Sequence, residues 1–512
     1  MRRRRCLSWL VAVLVVCATS GCRGAQTGGE NELVVGLVNF PGRLDPRFAT
    51  DAVAQHIDQV VYAGLLRRNR ELGLDPDLAT AWSVSEDGLT YNFTLRSGVV
   101  FHDGRPLTAA DVAYTYESLR DPAVASPKAG ALEALASVTS LDDHRVAFTL
   151  KQPFASFPIN CVLGVVPSGT PPQDVIPPPG AGPFKVDSIE DGETVVVRAH
   201  DQYFGPRAGV DRIVFRAIPS DTTRVLELEK GSIHFLQNDI PPADARRLAT
   251  TAGIVVDESE GTDVAYLAFN LDDPALAKAE VRRAIALTVD RAGLIRSLLD
   301  GQASPADSLL APIHWAHAPD LPPLKRDVVA ARTLLEQAGL RDPDGDGPLP
   351  RLSLALKTSQ NPFRQRVAEF LANDLRQIGI DMKIQTYEWG KFFSDVQEGR
   401  FQMFSLQWVG VSDPDLFHMV FHSARVPPGG ANRGRYRNAD VDRLADEART
   451  RSDDATRAAA YQQIQRILAQ DLPYIYLWHP RQVVARRDFV TGFKPYPTGD
   501  YTALSEVRIA KR

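Results

Sequence analysis

From Leu33 the chain runs Leu33-Val34-Val35-Gly36-Leu37-Val38 and is closed off by Pro41 and Gly42. A short apolar, β-branched run with no polar alternation predicts a buried strand. Over 52–66 the apolar residues Val53, Ile57, Val60, Val61 and Leu65 fall at helical spacing, with Gly64 near the end. Trp82-Ser83-Val84 and Tyr91-Asn92-Phe93-Thr94-Leu95 alternate on either side of Glu86-Asp87-Gly88, which predicts a hairpin. Thr108-Ala109-Ala110-Asp111 has the form of a capping box opening a helix through Val112, Tyr116 and Leu119. Prolines crowd residues 167–183, excluding helix and central strand, and we place a crossing between subdomains there. Residues 182–235 read as strands with one short helix. Strands at 264–269, 352–357, 381–387 and 401–408 then alternate with helices at 279–290, 327–338, 363–378 and 456–469, and the tail 474–484 is strand-like. That alternation predicts an α/β chain with a mixed sheet covered by helices.

Ahead of the first strand the pattern changes. Four arginines at 2–5 precede an apolar stretch over 7–16 and the small, polar cluster Ala18-Thr19-Ser20-Gly21-Cys22, the arrangement of a signal peptide. The apolar stretch is too short to span roughly 30 Å of hydrocarbon as a helix. Gly21-Cys22 resembles the end of a bacterial lipobox, with Thr19 where that pattern prefers Leu. The resemblance implies cleavage after residue 21, lipid attachment at Cys22, a flexible tether over 22–31 and residence on the extracytoplasmic face of the cell membrane. Cys6 and Cys17 leave with the leader, so Cys22 and Cys161 remain and no internal disulfide is expected. The net charge of −5 argues against a nucleic-acid-binding surface.

Candidate chemistry is sparse. His102-Asp103-Gly104 reads as a turn in which the histidine packs or hydrogen-bonds. His418 and His422 stand four apart and offer a zinc or nickel face, but the sequence shows no third ligand, so no metal site is assigned. Asp342-Pro343-Asp344-Gly345-Asp346-Gly347 matches the first half of a calcium loop, yet Ser353 stands where a bidentate Glu is required, which favours a solvated turn. No nucleophile elbow, P-loop or zinc-protease helix stands out, so neither an enzyme nor a cofactor is expected.

A family resemblance rests on Leu44-Asp45-Pro46, Tyr62-Ala63-Gly64-Leu65, 78–88 with Trp82 and Glu86-Asp87-Gly88, Leu95-Arg96-Ser97-Gly98-Val99, Phe101-His102-Asp103-Gly104 and Leu107-Thr108-Ala109-Ala110-Asp111-Val112. It continues through Gly182-Pro183-Phe184, Tyr203-Phe204-Gly205, Phe269-Asn270, Val281-Arg282-Arg283-Ala284-Ile285, Tyr387-Glu388-Trp389 and Trp408 with Asp413-Pro414-Asp415. These blocks resemble the extracellular solute-binding proteins, family 5, of dipeptide, oligopeptide and nickel ABC importers. The resemblance implies a two-lobed periplasmic-binding-protein fold of the class II, cluster C type. Lobe I would comprise 32–262 plus 476–512, with 47–178 as an inserted subdomain, and lobe II would comprise 263–475.

By the same resemblance the chain closes on a solute and hands it, as a monomer, to an ABC permease and its ATPase. Tyr387, Trp389, Trp408 and Asn270 would line the pocket. Peptide-binding members carry a carboxylate for the ligand amine three residues after this Trp. Here that position is Val411, and Asp413 or Asp415 is expected to take over. Lys357 lies near the position of an arginine for the ligand carboxylate. The implied ligand is a peptide, an oligopeptide rather than a dipeptide. The alternatives are an oligosaccharide, a nickel chelate or haem, or a membrane-tethered sensor or chaperone without transport.

Overall fold

The computed structural model describes residues 31–510 except 173–175, 346 and 452. Residues 1–30, with the expected leader, Cys22 and all of the tether but Asn31, lie outside the described residues, as does Asp346 of the half calcium loop. Two sheets carry the fold. The first has seven strands in the order Ile254–Ser259, Gln482–Arg487, Phe235–Gln237, Glu32–Leu37, Arg212–Ala217, Thr194–Ala199, Phe184–Glu190. The second has six, in the order Ala303–Pro305, Tyr474–Pro480, Val264–Phe269, Met403–Trp408, Leu352–Ser359, Ile380–Tyr387.

Strands buried on both faces read as continuous apolar runs, and Val264–Phe269 is buried at every position. Alternate residues of that strand feed two cores. Ala265, Leu267 and Phe269 pack with Leu371 and Leu375 of the helix Pro362–Arg376, while Val264, Tyr266 and Ala268 pack with Tyr461 and Ile464 of the helix Asp454–Asp471. The first sheet is likewise covered on both faces, by the helix Ala52–Val61 on one and by Asp221–Lys230 and Pro242–Leu248 on the other.

A four-stranded antiparallel sheet, Ala79–Val84, Thr90–Leu95, Arg145–Leu150, Leu135–Asp142, forms the inserted subdomain with the helix Ala109–Arg120 packed on it. That helix starts as expected, with Thr108 N donating to the Asp111 carboxylate at 2.8 Å. The subdomain begins later than residue 47, because Val53, Ala54 and Ile57 are buried in the first sheet's core and the separate core starts at Ala63.

The chain crosses between the sheets twice, over 260–263 and at Arg481. The expected boundary at 475/476 is displaced: the tail 474–484 is two strands, and all of Tyr474–Pro480 belongs to the second sheet. The crossings lie against each other. Thr262 N and Gln482 Nε2 both donate to the Pro497 carbonyl, at 3.1 and 3.0 Å. A Cβ on Gly261 would lie 2.3 Å from the Pro480 carbonyl oxygen, so the contact between the crossings requires glycine there.

Candidate functional site between the sheets

Strand direction defines the site. Leu352–Ser359, Ile380–Tyr387 and Met403–Trp408 run parallel, and Ser359 pairs with Tyr387 at their carboxyl ends. Trp408 pairs with Val264, the first residue of the strand arriving from the crossing. In the first sheet Glu32–Leu37, Arg212–Ala217 and Phe235–Gln237 are also parallel; Leu37 pairs with Ala217, and Gln237 with Val484 just past the other crossing. Both sheets therefore turn the carboxyl ends of their parallel strands toward the crossings. In open α/β sheets, ligands bind outside the carboxyl ends of the strands.

Trp408 anchors the second lobe's side. Its ring stacks on Tyr266 at 6.2 Å, and Tyr266 stacks on Tyr474 at 4.4 Å. Arg433 lies over both Trp408 and Phe393, at 5.1 and 5.2 Å, and donates to the Tyr266 hydroxyl. Trp408 Nε1 and the hydroxyl of Tyr476 are buried with no hydrogen-bond partner among the described residues. Two polar tips in an aromatic wall are thus unsatisfied, a condition native proteins rarely leave without use.

The loop after Trp408 is fixed by Asp263 in the crossing, whose carboxylate accepts from Gln407 Nε2 at 2.9 Å and Gly410 N at 2.7 Å. Val411, at the position of the expected carboxylate, is 4 % exposed and packs into the core. Asp413 does not offer a free carboxylate either: its Oδ1 accepts from Ser156 Oγ of the inserted subdomain and from Asp415 N, both at 2.8 Å. Asp415 lies 3.1 Å from Arg449 Nε as an ion contact. Burial pushes its carboxyl up to about 7 against the opposing pull of Arg449. The backbone of Ala155 donates to the Arg449 carbonyl at 2.7 Å, and Phe154 lies under the Arg449 guanidinium. Both aspartates therefore serve the contact between the inserted subdomain and the second lobe.

Lys357 is likewise committed. It donates to Asp395 at 2.7 Å and lies 5.1 Å from the Tyr387 ring. Asp395 also accepts from Lys391 and Arg400, and these three donors hold its carboxyl well below the usual range. Half-buried Tyr387 and exposed Trp389 stand at the carboxyl edge, with Trp389 stacked on Phe393. Asn270 lies past the far end of Val264–Phe269, and its amide donates to the carbonyls of Gly399 and Phe401, which removes it from the site.

The residue missed in the sequence is Arg364. It sits in the first turn of Pro362–Arg376, directly after the carboxyl end of Leu352–Ser359, within electrostatic range of Tyr266. Burial disfavours its charge, and among the described residues no hydrogen bond or ion pair engages its guanidinium. Its sequence signal was weak, one arginine among several on an amphipathic helix.

The remaining motifs are structural. His102 Nδ1 accepts from Gly180 N while Nε2 lies 3.1 Å from the Gly182 carbonyl, and burial holds the imidazole down at about 4. Buried Cys161 packs in the inserted subdomain's core. In the half calcium loop, Asp342 pairs with Arg351 and Asp344 accepts from Leu349 N. A cavity of about 1230 Å³ opens inside the first lobe, lined by Asp58, Tyr62, Arg68, Asp77, Lys128 and Tyr203 among others and by no described residue of the second lobe.

The pattern of bacterial extracellular solute-binding proteins, family 5 Middle, matches residues 73–426, and the chain belongs to that family. It is a binding protein, not an enzyme. The oligopeptide-binding protein AppA of Bacillus subtilis is 27 % identical, with all of both chains covered. Its structure in complex with a nonapeptide superposes with a TM-score of 0.79, covering 94 % of this chain and 99 % of that one. Heme-binding protein A of Haemophilus influenzae is 27 % identical over 95 % of this chain and 93 % of its own length. No helix among the described residues is long and apolar enough to cross a membrane.

Proposed function

We propose that the chain captures a peptide between its two lobes outside the membrane and delivers it, as a monomer, to an ABC permease energised by an ATPase. In this reading a lipid on Cys22 holds it at the cell surface and residues 22–31 give it reach. The observation that carries the peptide reading is the opposition of two carboxyl edges across a double crossing, together with likeness to an oligopeptide receptor solved around a nonapeptide. Ligand length follows from the electrostatics. With Val411 in the core and Asp413 and Asp415 engaged by protein partners, no carboxylate of the 409–415 loop is free for an α-ammonium. An ammonium buried without a partner is expensive, which disfavours a dipeptide whose terminus must be enclosed. An extended oligopeptide held along its main chain avoids that cost.

Trp408, Tyr387 and Trp389 supply apolar faces to the ligand in this reading, and Arg364 meets an anionic group. A flat carboxylate-bearing solute such as haem is the second reading, favoured by the Trp408–Tyr266–Tyr474 stack beside Arg364. Thermal-shift measurement on the soluble domain decides between them, since ligand at 100 Kd adds about 2.7 kcal/mol. Stabilisation by tri- to pentapeptides is the expected result. Stabilisation by haem, sugars or nickel chelates with none by peptides would reject the peptide.

A further inference from the structure

The helix Leu416–Phe421 and its C-cap present His418 and His422 one turn apart on one face. The sequence shows no third ligand for them. The fold supplies it from the helix Ala439–Thr450: Asp446 lies with one carboxylate oxygen 3.4 Å from His418 Nε2 and the other 3.4 Å from His422 Nε2. One ligand atom from each of the three side chains lies within 4.8 Å of the other two. At metal–ligand distances near 2.0–2.1 Å, the corners of a tetrahedron are about 3.3–3.4 Å apart.

We propose that His418, His422 and Asp446 bind one divalent transition-metal cation of the zinc class, with water completing the shell. Two imidazoles and one carboxylate are a donor set suited to Zn2+, Ni2+ or Cu2+ and a poor one for Ca2+ or Mg2+. Asp446 is exposed, which gives the ion a route in from solvent, while the histidines are largely buried and so orientationally fixed. His422 Nδ1 accepts from Ala424 N at 3.1 Å, so a metal at Nε2 requires the ring proton to move to Nδ1; Asp442, one turn before Asp446 and 4.0 Å from Nδ1, is the carboxylate placed to receive it.

Arg449 is the opposing feature. Its Nη1 is 3.3 and 3.2 Å from the two ring nitrogens of His418. An atom nearly equidistant from both sits over the ring face, leaving the in-plane lone pair of Nε2 toward Asp446. Arg449 is also paired with Asp415, and Arg425 is 3.9 Å from Glu133, so carboxylates accompany both nearby guanidiniums. This site is separate from the cleft wall of Trp408 and Arg364, although Arg449, on the same helix as Asp446, meets the inserted subdomain.

The test is zinc titration of tag-free protein against a competing chelator, with Co2+ absorption reporting coordination. The expected result is one saturable Zn2+ per chain and a tetrahedral Co2+ spectrum. Asp446→Asn and His422→Gln should each weaken binding at least tenfold, and His144→Gln should leave it unchanged. Asp446 is on the surface, so Asp446→Asn remains informative even where His418→Asn does not fold. Absence of saturable uptake by the wild type, or wild-type zinc affinity in Asp446→Asn, overturns the site.

Discussion

Ser156 of the inserted subdomain donates its hydroxyl to Asp413 of the second lobe at 2.8 Å and receives a hydrogen bond from Arg457 at the same distance. One buried hydroxyl thus joins an acid and a base of the opposite lobe, across a boundary that must open for a solute to enter. A hydrogen bond to a charged partner contributes about 1.5–3 kcal/mol, comparable to the gap between two lobe arrangements.

Ser156→Ala should therefore bias the protein toward separated lobes. The expected outcome is a larger radius of gyration in ligand-free solution scattering and peptide affinity lowered about tenfold, since 1.4 kcal/mol is a factor of ten. Unchanged scattering together with unchanged affinity would show that the hydroxyl holds nothing shut.

The crossings give a second expectation. A methyl on Gly261 would meet the Pro480 carbonyl oxygen at 2.3 Å, and both crossing segments are tied to the Pro497 carbonyl. Neither strand yields without breaking those bonds, so Gly261→Ala should cost about 1–3 kcal/mol of stability, as overpacking does. Calorimetry reads the first effect as a lowered Tm. Scattering with and without ligand reads the second, a loss of ligand-induced compaction.

Much of this architecture was legible in the chain. The apolar run at Leu33 and the helix opened by Thr108 and Asp111 formed where local pattern placed them, because burial and capping are encoded within a few residues. What escaped depends on contacts distant in sequence. The tail after Tyr474 is uniformly strand-like, and only its partners on either side of Arg481 show that it serves two sheets. Lys357 looked available until Asp395 reached it across the sheet edge. His418 and His422 lacked a third ligand until a separate helix delivered Asp446. Asp413 and Asp415 looked open to a ligand amine, but residues of the inserted subdomain and of Ala439–Thr450 already occupy them.

Arg364 yields the third expectation. A half-buried guanidinium without a hydrogen bond or ion pair from another described residue stands at the carboxyl edge of the second sheet. Its partial desolvation is a cost that a ligand carboxylate would relieve through a bidentate contact. Arg364→Lys keeps a positive charge but not the fork, and Arg364→Ala keeps neither. Affinity for a peptide with a free C-terminus should fall in the order wild type, Lys, Ala, with the ligand-free Tm equal to or above the wild-type value. Calorimetric titration with the C-terminally amidated peptide is the control, and equal losses for both peptides would remove Arg364 from ligand recognition.

The last expectation concerns pH and the cavity inside the first lobe. Asp58 lines that cavity at 8 % exposure, and neither of its carboxylate oxygens has a hydrogen-bond partner among the described residues. Burial lifts its carboxyl well above the ordinary value, Lys128 pulls the other way, and Asp45 and Asp51 add to the rise. In the unfolded chain an Asp ionises near about 3.9. Above that pH the unfolded chain has released a proton that the folded protein still holds. Stability then falls by about 1.4 kcal/mol per pH unit until the folded group ionises too. Asp77, lifted to about 6 by burial, and Asp415, lifted to about 7, act in the same direction over the lower part of that range. Asp58→Asn keeps the shape and removes the ionisation. Its Tm should exceed that of the wild type near pH 8, with the difference shrinking steadily as the pH is lowered toward about 4. A difference that does not change with pH would mean that Asp58 is already ionised in the folded protein, with Lys128 as its counter-charge.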